Sequence, residues 1–162
     1  MKKLGIVCLI LLGITAREGI AVENMSFKGT LREDVPCELN DGQPINVDFE
    51  TVGVNKIDGE RYKKSFSVKV SCPAGFDVAY KIYYVGQPSS FDTAALATNV
   101  KGLGIKAQWQ KNGAFVDLGV GGAINGLADM DLNFQVVPVR KVNTELVPGA
   151  FNASASFLLK YE

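Results

Sequence analysis

Hydrophobicity in this chain repeats every second residue, and that regularity limits the fold more than any motif does. The final stretch is the cleanest case: Phe151, Ala153, Ala155, Phe157, Leu159 and Tyr161 fall in one phase, with Asn152, Ser154, Ser156, Leu158 and Lys160 in the other. Successive side chains of a strand point to opposite faces, so a period of two buries a whole face only when the segment is extended. Ile45, Val47 and Phe49 alternate with Asn46 and Asp48 in the same way, and Phe66, Val68 and Val70 alternate with Ser65, Ser67, Lys69 and Ser71. Further strands are expected over 78–85, 103–110, 114–118 and 132–139. The last has Leu132, Phe134 and Val136 on one side, and Pro138 marks an edge at its end. Lys111, Asn112 and Gly113 predict a tight turn, and the glycine-rich stretch 119–126 predicts a loop. The best place for a helix is 91–97, and it would be a turn or two long. Short strands at this spacing predict an all-β, immunoglobulin-like sandwich.

The N-terminus obeys a different rule. Lys2 and Lys3 precede an apolar run over residues 4–14, followed by small residues as far as Ala21, which is the order of a secretory signal peptide. The run falls short of the roughly 20 residues that a membrane-spanning helix needs. Cleavage after Ala21 or after Ala16 fits the small-residue rule. The expected organisation is a signal peptide over 1–21, an N-terminal extension over 22–34 and a folded domain over 35–162. Cys8 leaves with the leader. That leaves Cys37 and Cys72 in a chain bound for an oxidising compartment, where a single disulfide is expected. Closing the loop between them would contribute about 3 to 4 kcal/mol on a chain-entropy estimate.

Composition removes several functions. The full chain has 17 basic and 17 acidic residues and no histidine, and loss of the leader leaves a slight acidic surplus. No cationic excess is available for a phosphate backbone, and the one basic cluster, Arg61, Lys63 and Lys64, is short; no nucleic-acid partner is expected. Without histidine the commonest general base and metal ligand are missing, and two cysteines cannot build a zinc site. Asp129 and Asp131 flank Met130 and invite a cation-binding reading, against the plainer one of a solvated turn before a strand. The glycines of 119–122 lack the strand-to-helix context of a phosphate loop. Trp109, Tyr80, Tyr83 and Tyr84 invite a sugar platform, although in a sandwich they serve as packing. The expectation is a non-enzyme with no catalytic residue, metal or cofactor.

One segment is surplus to a sandwich. Met25, Phe27, Gly29 and Leu31 share a phase, with Asn24, Ser26, Lys28 and Thr30 in the other, while residues 37–49 already supply a first strand. Together with Pro36-Cys37, Ser71-Cys72-Pro73, Gly149 ahead of the alternating C-terminal run, and penultimate Tyr161, this segment resembles the chaperone-usher pilus (fimbrial) subunit family, in particular the minor tip or adaptor subunits of P pili and type 1 pili.

The resemblance implies an immunoglobulin-like pilin sandwich that lacks its last strand and carries an N-terminal donor-strand extension. It also implies export through the periplasm to a cell-surface pilus. A periplasmic chaperone would fill the open groove first. At the outer-membrane usher, the extension of a neighbouring pilus subunit would then replace it, with a tip adhesin as a further neighbour. Met25, Phe27, Gly29 and Leu31 are then the donor residues, with Gly29 where the groove is too shallow for a side chain. Gly149, Phe151, Ala153, Ala155, Phe157, Leu159 and Tyr161 form the acceptor and chaperone-binding strand, ending on the carboxylate of Glu162. The competing expectation is a self-contained secreted binding module, adhesin-like and carbohydrate-binding, which would need no partner to complete its fold.

Overall fold

A computed structural model describes residues 26–31, 37–73 and 79–161. The expected signal peptide with its cleavage sites, and Met25, Pro36, Val78 and Glu162, lie outside the described residues. The chain divides into two units, Met1–Glu33 and Asp34–Glu162. In the first, residues 26–31 are exposed and belong to no helix or strand. The second is a sandwich in which the described strands run β1 (Glu38–Leu39), β2 (Lys64–Ser71), β3 (Tyr80–Gly86), β4 (Leu96–Ala97), β5 (Leu103–Lys111), β6 (Ala114–Leu118), β7 (Ala123–Gly126), β8 (Met130–Arg140) and β9 (Ala155–Tyr161). One sheet has the order β1-β2-β8-β5-β4, with β6 also on β5, and the other has the order β7-β3-β9. Every pairing is antiparallel. The all-β, immunoglobulin-like expectation is met.

The period of two explains what each sheet buries. Val68 and Val70 of β2, Leu132 and Phe134 of β8, and Ile105 of β5 face Tyr80 and Ile82 of β3 and Ile124 of β7 across one core. Phe134 is its centre: fully buried, its ring lies 5.2 Å from that of Phe66 and 4.9 Å from that of Phe157. Asn112 (φ 52°) and Gly113 (φ 84°) turn β5 into β6 with the two positive φ values that suit a tight hairpin. At Pro138 the pairs with β2 have already ended, at Val136, so a residue without an N–H sits where β8 has lost one neighbour.

Three expectations change. The stretch 119–126 is not all loop, because burial of Ile124 draws Ala123–Gly126 into pairing with β3. Gly126 is required there, since the ring of Tyr80 occupies the space a Cβ would take. The stretch 91–97 forms a turn leading into β4 rather than a helix, and its Leu96 is registered against Ile105. The first strand stops after two residues, because Asn40, Asp41 and Gly42 take φ values of 51°, 49° and 71°, outside the strand region.

Cys37 and Cys72 are joined, closing the end of β1 onto the end of β2. Both half-cystines are also held by their main chain. Cys37 N–H donates to Tyr161 Oη at 2.6 Å, and Cys72 N–H donates to Asp129 Oδ1 at 2.6 Å. Asp129 is therefore a strut between the disulfide and the entry to β8. Asp131 stands across from Lys69 of β2, so the two acids have separate duties. Replacing Phe134 with Ala should cost about 3 to 5 kcal/mol, the range for emptying a buried aromatic site. The loss should be read as a lowered urea midpoint in the fluorescence of Trp109.

Candidate binding groove along an unpaired strand edge

β9 is the outer strand of the smaller sheet. One of its edges pairs with β3 from Tyr161 opposite Tyr80 to Ala155 opposite Gly86, and no described strand pairs with the other. Residues 147–154 lead into it outside any ladder. Facing them, residues 43–53 also belong to no ladder with a described strand. Between the two lies a groove of about 1090 Å³. Its floor is core: Val68, Tyr84, Ile105, Val136 and Phe157 all reach it. An apolar trough beside an unpaired strand edge is what folded proteins ordinarily avoid leaving in water.

Local chemistry keeps the walls apart from the sheets. On one side the positive φ values at 40–42 swing the chain out of the β1 ladder, and Glu50, at φ 58°, bends it again. Asp48 Oδ1 caps that bend by accepting Glu50 N–H at 2.7 Å, and Glu50 pairs with Lys64 at 2.6 Å. Gly53 N–H donates to Tyr62 Oη at 3.1 Å, which fixes the far end. The expected alternation survives: Ile45, Val47 and Phe49 are half-buried, and Asn46, Asp48 and Glu50 are exposed. On the other side Asn99 holds residues 150–152 by hydrogen bonds. Its side chain accepts from Asn152 N–H at 2.7 Å and donates to Ala150 O at 3.2 Å, while its own N–H donates to Asn152 O at 3.3 Å. Phe49 and Phe151 approach each other between the walls, with ring centroids 5.9 Å apart.

The residues singled out by alternation divide along this edge. Gly149, Phe151, Ala153, Ala155 and Phe157 line the groove. Leu159 and Tyr161 lie farther along β9, packed against the main core, with the Tyr161 hydroxyl on Cys37. In the leading segment Phe27 is 87% and Leu31 102% exposed, and open space surrounds Gly29. Met25 and Glu162 are outside the described residues. Asn99 escaped the sequence reading, and Asp129 was singled out there only as a cation or turn residue, because their partners are main-chain atoms more than fifty residues away in sequence. Tyr84 borders the groove with its ring 5.7 Å from that of Phe157, and burial pushes its hydroxyl up from 10.0 to about 12. Of the other tyrosines, Tyr83 lies under the Lys160 ammonium, 5.3 Å from the ring centroid. Among the described residues no group of acids and cysteines is placed to hold a metal ion.

Comparison with known proteins agrees with this architecture. Residues 25–162 match the family described as fimbrial protein. The minor fimbrial protein PrsF of Escherichia coli is 31% identical over 140 residues, which are 78% of this chain and 80% of its own. The fimbrial-like protein YfcQ of Escherichia coli K12 is 27% identical over 146 residues, covering 88% of this chain and 89% of its own. Among solved structures, that of the P pilus adaptor subunit PapF superimposes with a TM-score of 0.61 at 27% identity, over 78% of this chain and 96% of that one.

The raised Tyr84 value makes stability fall at high pH. The folded state favours the protonated phenol, so its contribution is complete below pH 10 and is lost as pH climbs from 10.0 toward about 12. The urea midpoint should decline across that window. Tyr84→Phe should remove a share of the decline on the order of 2 kcal/mol, leaving the smaller part due to Tyr80, whose hydroxyl burial also raises.

Proposed function

We propose a mode of assembly that proceeds from one premise: this chain belongs to the fimbrial protein family. It is a structural, non-enzymatic subunit of a cell-surface pilus, and it interacts with other pilus subunits. In the proposed mechanism the groove accepts an extended strand from a neighbouring subunit. The segment bearing Met25, Phe27, Gly29 and Leu31 is passed in turn to the next groove.

The observation that carries this reading is the unpaired β9 edge above an apolar trough. An added strand supplies the main-chain partners that the edge lacks and drives apolar side chains into the floor. Phe27 and Leu31, both exposed, would each contribute about 1.5 to 3 kcal/mol when fully buried. Gly29, between them, would let the backbones approach closely. Before assembly a periplasmic chaperone would occupy the same edge, contacting the run from Gly149 to Tyr161 and the carboxylate of Glu162. Exchange would follow at an outer-membrane usher. Likeness to PrsF and to the adaptor PapF supports a minor or adaptor position. The self-contained binding module is disfavoured by the open apolar trough beside that edge, which such a module would cover with its own chain.

The chain should be recovered from the periplasm as a one-to-one complex when its chaperone is co-expressed, and should aggregate or polymerise without it. A synthetic peptide of residues 22–31 should convert that complex to a peptide-bound form within hours. A Gly29→Leu peptide should fail to do so, and a Phe27→Ala peptide should convert it more slowly. A stable lone monomer indifferent to every peptide would return the reading to the self-contained module.

A further inference from the structure

The floor of the groove is apolar, but its rim is not electrically neutral. Among the described residues its charged lining residues are Asp48 and Glu50, with no lysine or arginine. Both acids are exposed and lie in the phase opposite to Ile45, Val47 and Phe49, so they stand on the solvent side of their wall. Glu50 is neutralised by Lys64, 2.6 Å away. Asp48 lends one oxygen to Glu50 N–H, and among the described residues it has no cation in ion-pair range. On the facing wall Asn152, Ser154 and Ser156 are neutral and exposed. Among the described residues, the rim thus carries one negative charge, that of Asp48, with no ion-pair partner.

A strand laid between the walls with its apolar side chains down lifts the alternate side chains to the level of Asp48. Neighbouring strands run about 5 Å apart. At that spacing facing side chains of opposite charge attract and like charges repel. The leading segment of this chain shows the fitting chemistry: Lys28 is exposed, one residue out of phase with Phe27 and Gly29, and residues 26–31 contain no acid.

We propose that Asp48 selects incoming strands by charge. The occupant it favours is the N-terminal strand of a neighbouring pilus subunit that carries a lysine or arginine one residue out of phase with its apolar anchors. This inference rests on the strand-donation reading above and adds the rule by which one strand enters ahead of another of equal shape. An exposed rim charge acts chiefly on the rate of encounter and is screened by salt. The apolar floor, by contrast, governs how long a seated strand remains.

The test uses the chaperone-held full chain and two synthetic peptides of residues 22–31, native and Lys28→Glu, with conversion rates measured at about 20 mM and about 500 mM salt. At low salt the native peptide should convert the complex about 3- to 10-fold faster than Lys28→Glu, and at high salt the two rates should converge. Asp48→Asn, which keeps an oxygen for Glu50 N–H, should bring the low-salt ratio close to one, and Asp48→Lys should reverse it. Equal rates at low salt on the native chain, or a ratio unchanged in Asp48→Asn, would overturn charge selection while strand donation stands. If no peptide enters at all, the native one included, both readings fall.

Discussion

A β-strand presents main-chain donors and acceptors along both edges, and β9 satisfies one of them through β3. The other edge, with residues 147–154 that lead into it, has no described strand beside it. Buried main-chain groups left without partners are costly, and so is an open apolar trough. The remaining features of the sandwich follow from keeping that edge in place and exposed. The walls must stay apart, the floor must stay dry and preformed, and the end of β9 must not drift.

Each requirement has identifiable residues behind it. The successive positive φ values at Asn40, Asp41 and Gly42, and the bend at Glu50, stop residues 43–53 from folding back as a strand that would cover the trough. Asn99 holds residues 150–152 by three hydrogen bonds, so this wall is fixed although it belongs to no ladder. Phe134, stacked on Phe66 and tilted against Phe157, holds the floor to both sheets. At the far end the Tyr161 hydroxyl on Cys37 N–H and the Asp129 carboxylate on Cys72 N–H fasten β9 and the start of β8 to the disulfide. The groove is in this sense built from local backbone choices as much as from apolar packing.

Much of this was legible in the sequence, and the parts that were not share a cause. Alternation placed β2, β5, β6, β8 and the ladder portion of β9, because a half-buried strand must write its period into the chain. It also marked which of Ile45 to Glu50 face the core. Alternation says nothing, however, about whether a strand has a neighbour. The 45–49 run and residues 151–154 therefore read as ordinary strands, although in the fold they pair with none of those described. β7 was hidden by its glycines, since Gly126 is there for the ring of Tyr80 and not for a turn. Asn99 and Asp129 act on main-chain atoms distant in sequence, and such bonds leave no periodic trace.

The position of the disulfide also bears on how a fibre of such subunits would carry tension. In a polymer of the proposed kind, pulling on the leading segment delivers force to Cys37. The two-residue β1 could peel open under little load, but the covalent link to Cys72 passes the force directly to the end of β2. β2 is bonded along its length to the central strand β8. Its hydrogen bonds run across the strand direction, so a pull along β2 strains the whole row together rather than one bond after another. A cross-link beside the two-residue β1 thus spares that short ladder from carrying the load alone and hands it to the longest pairing of β2.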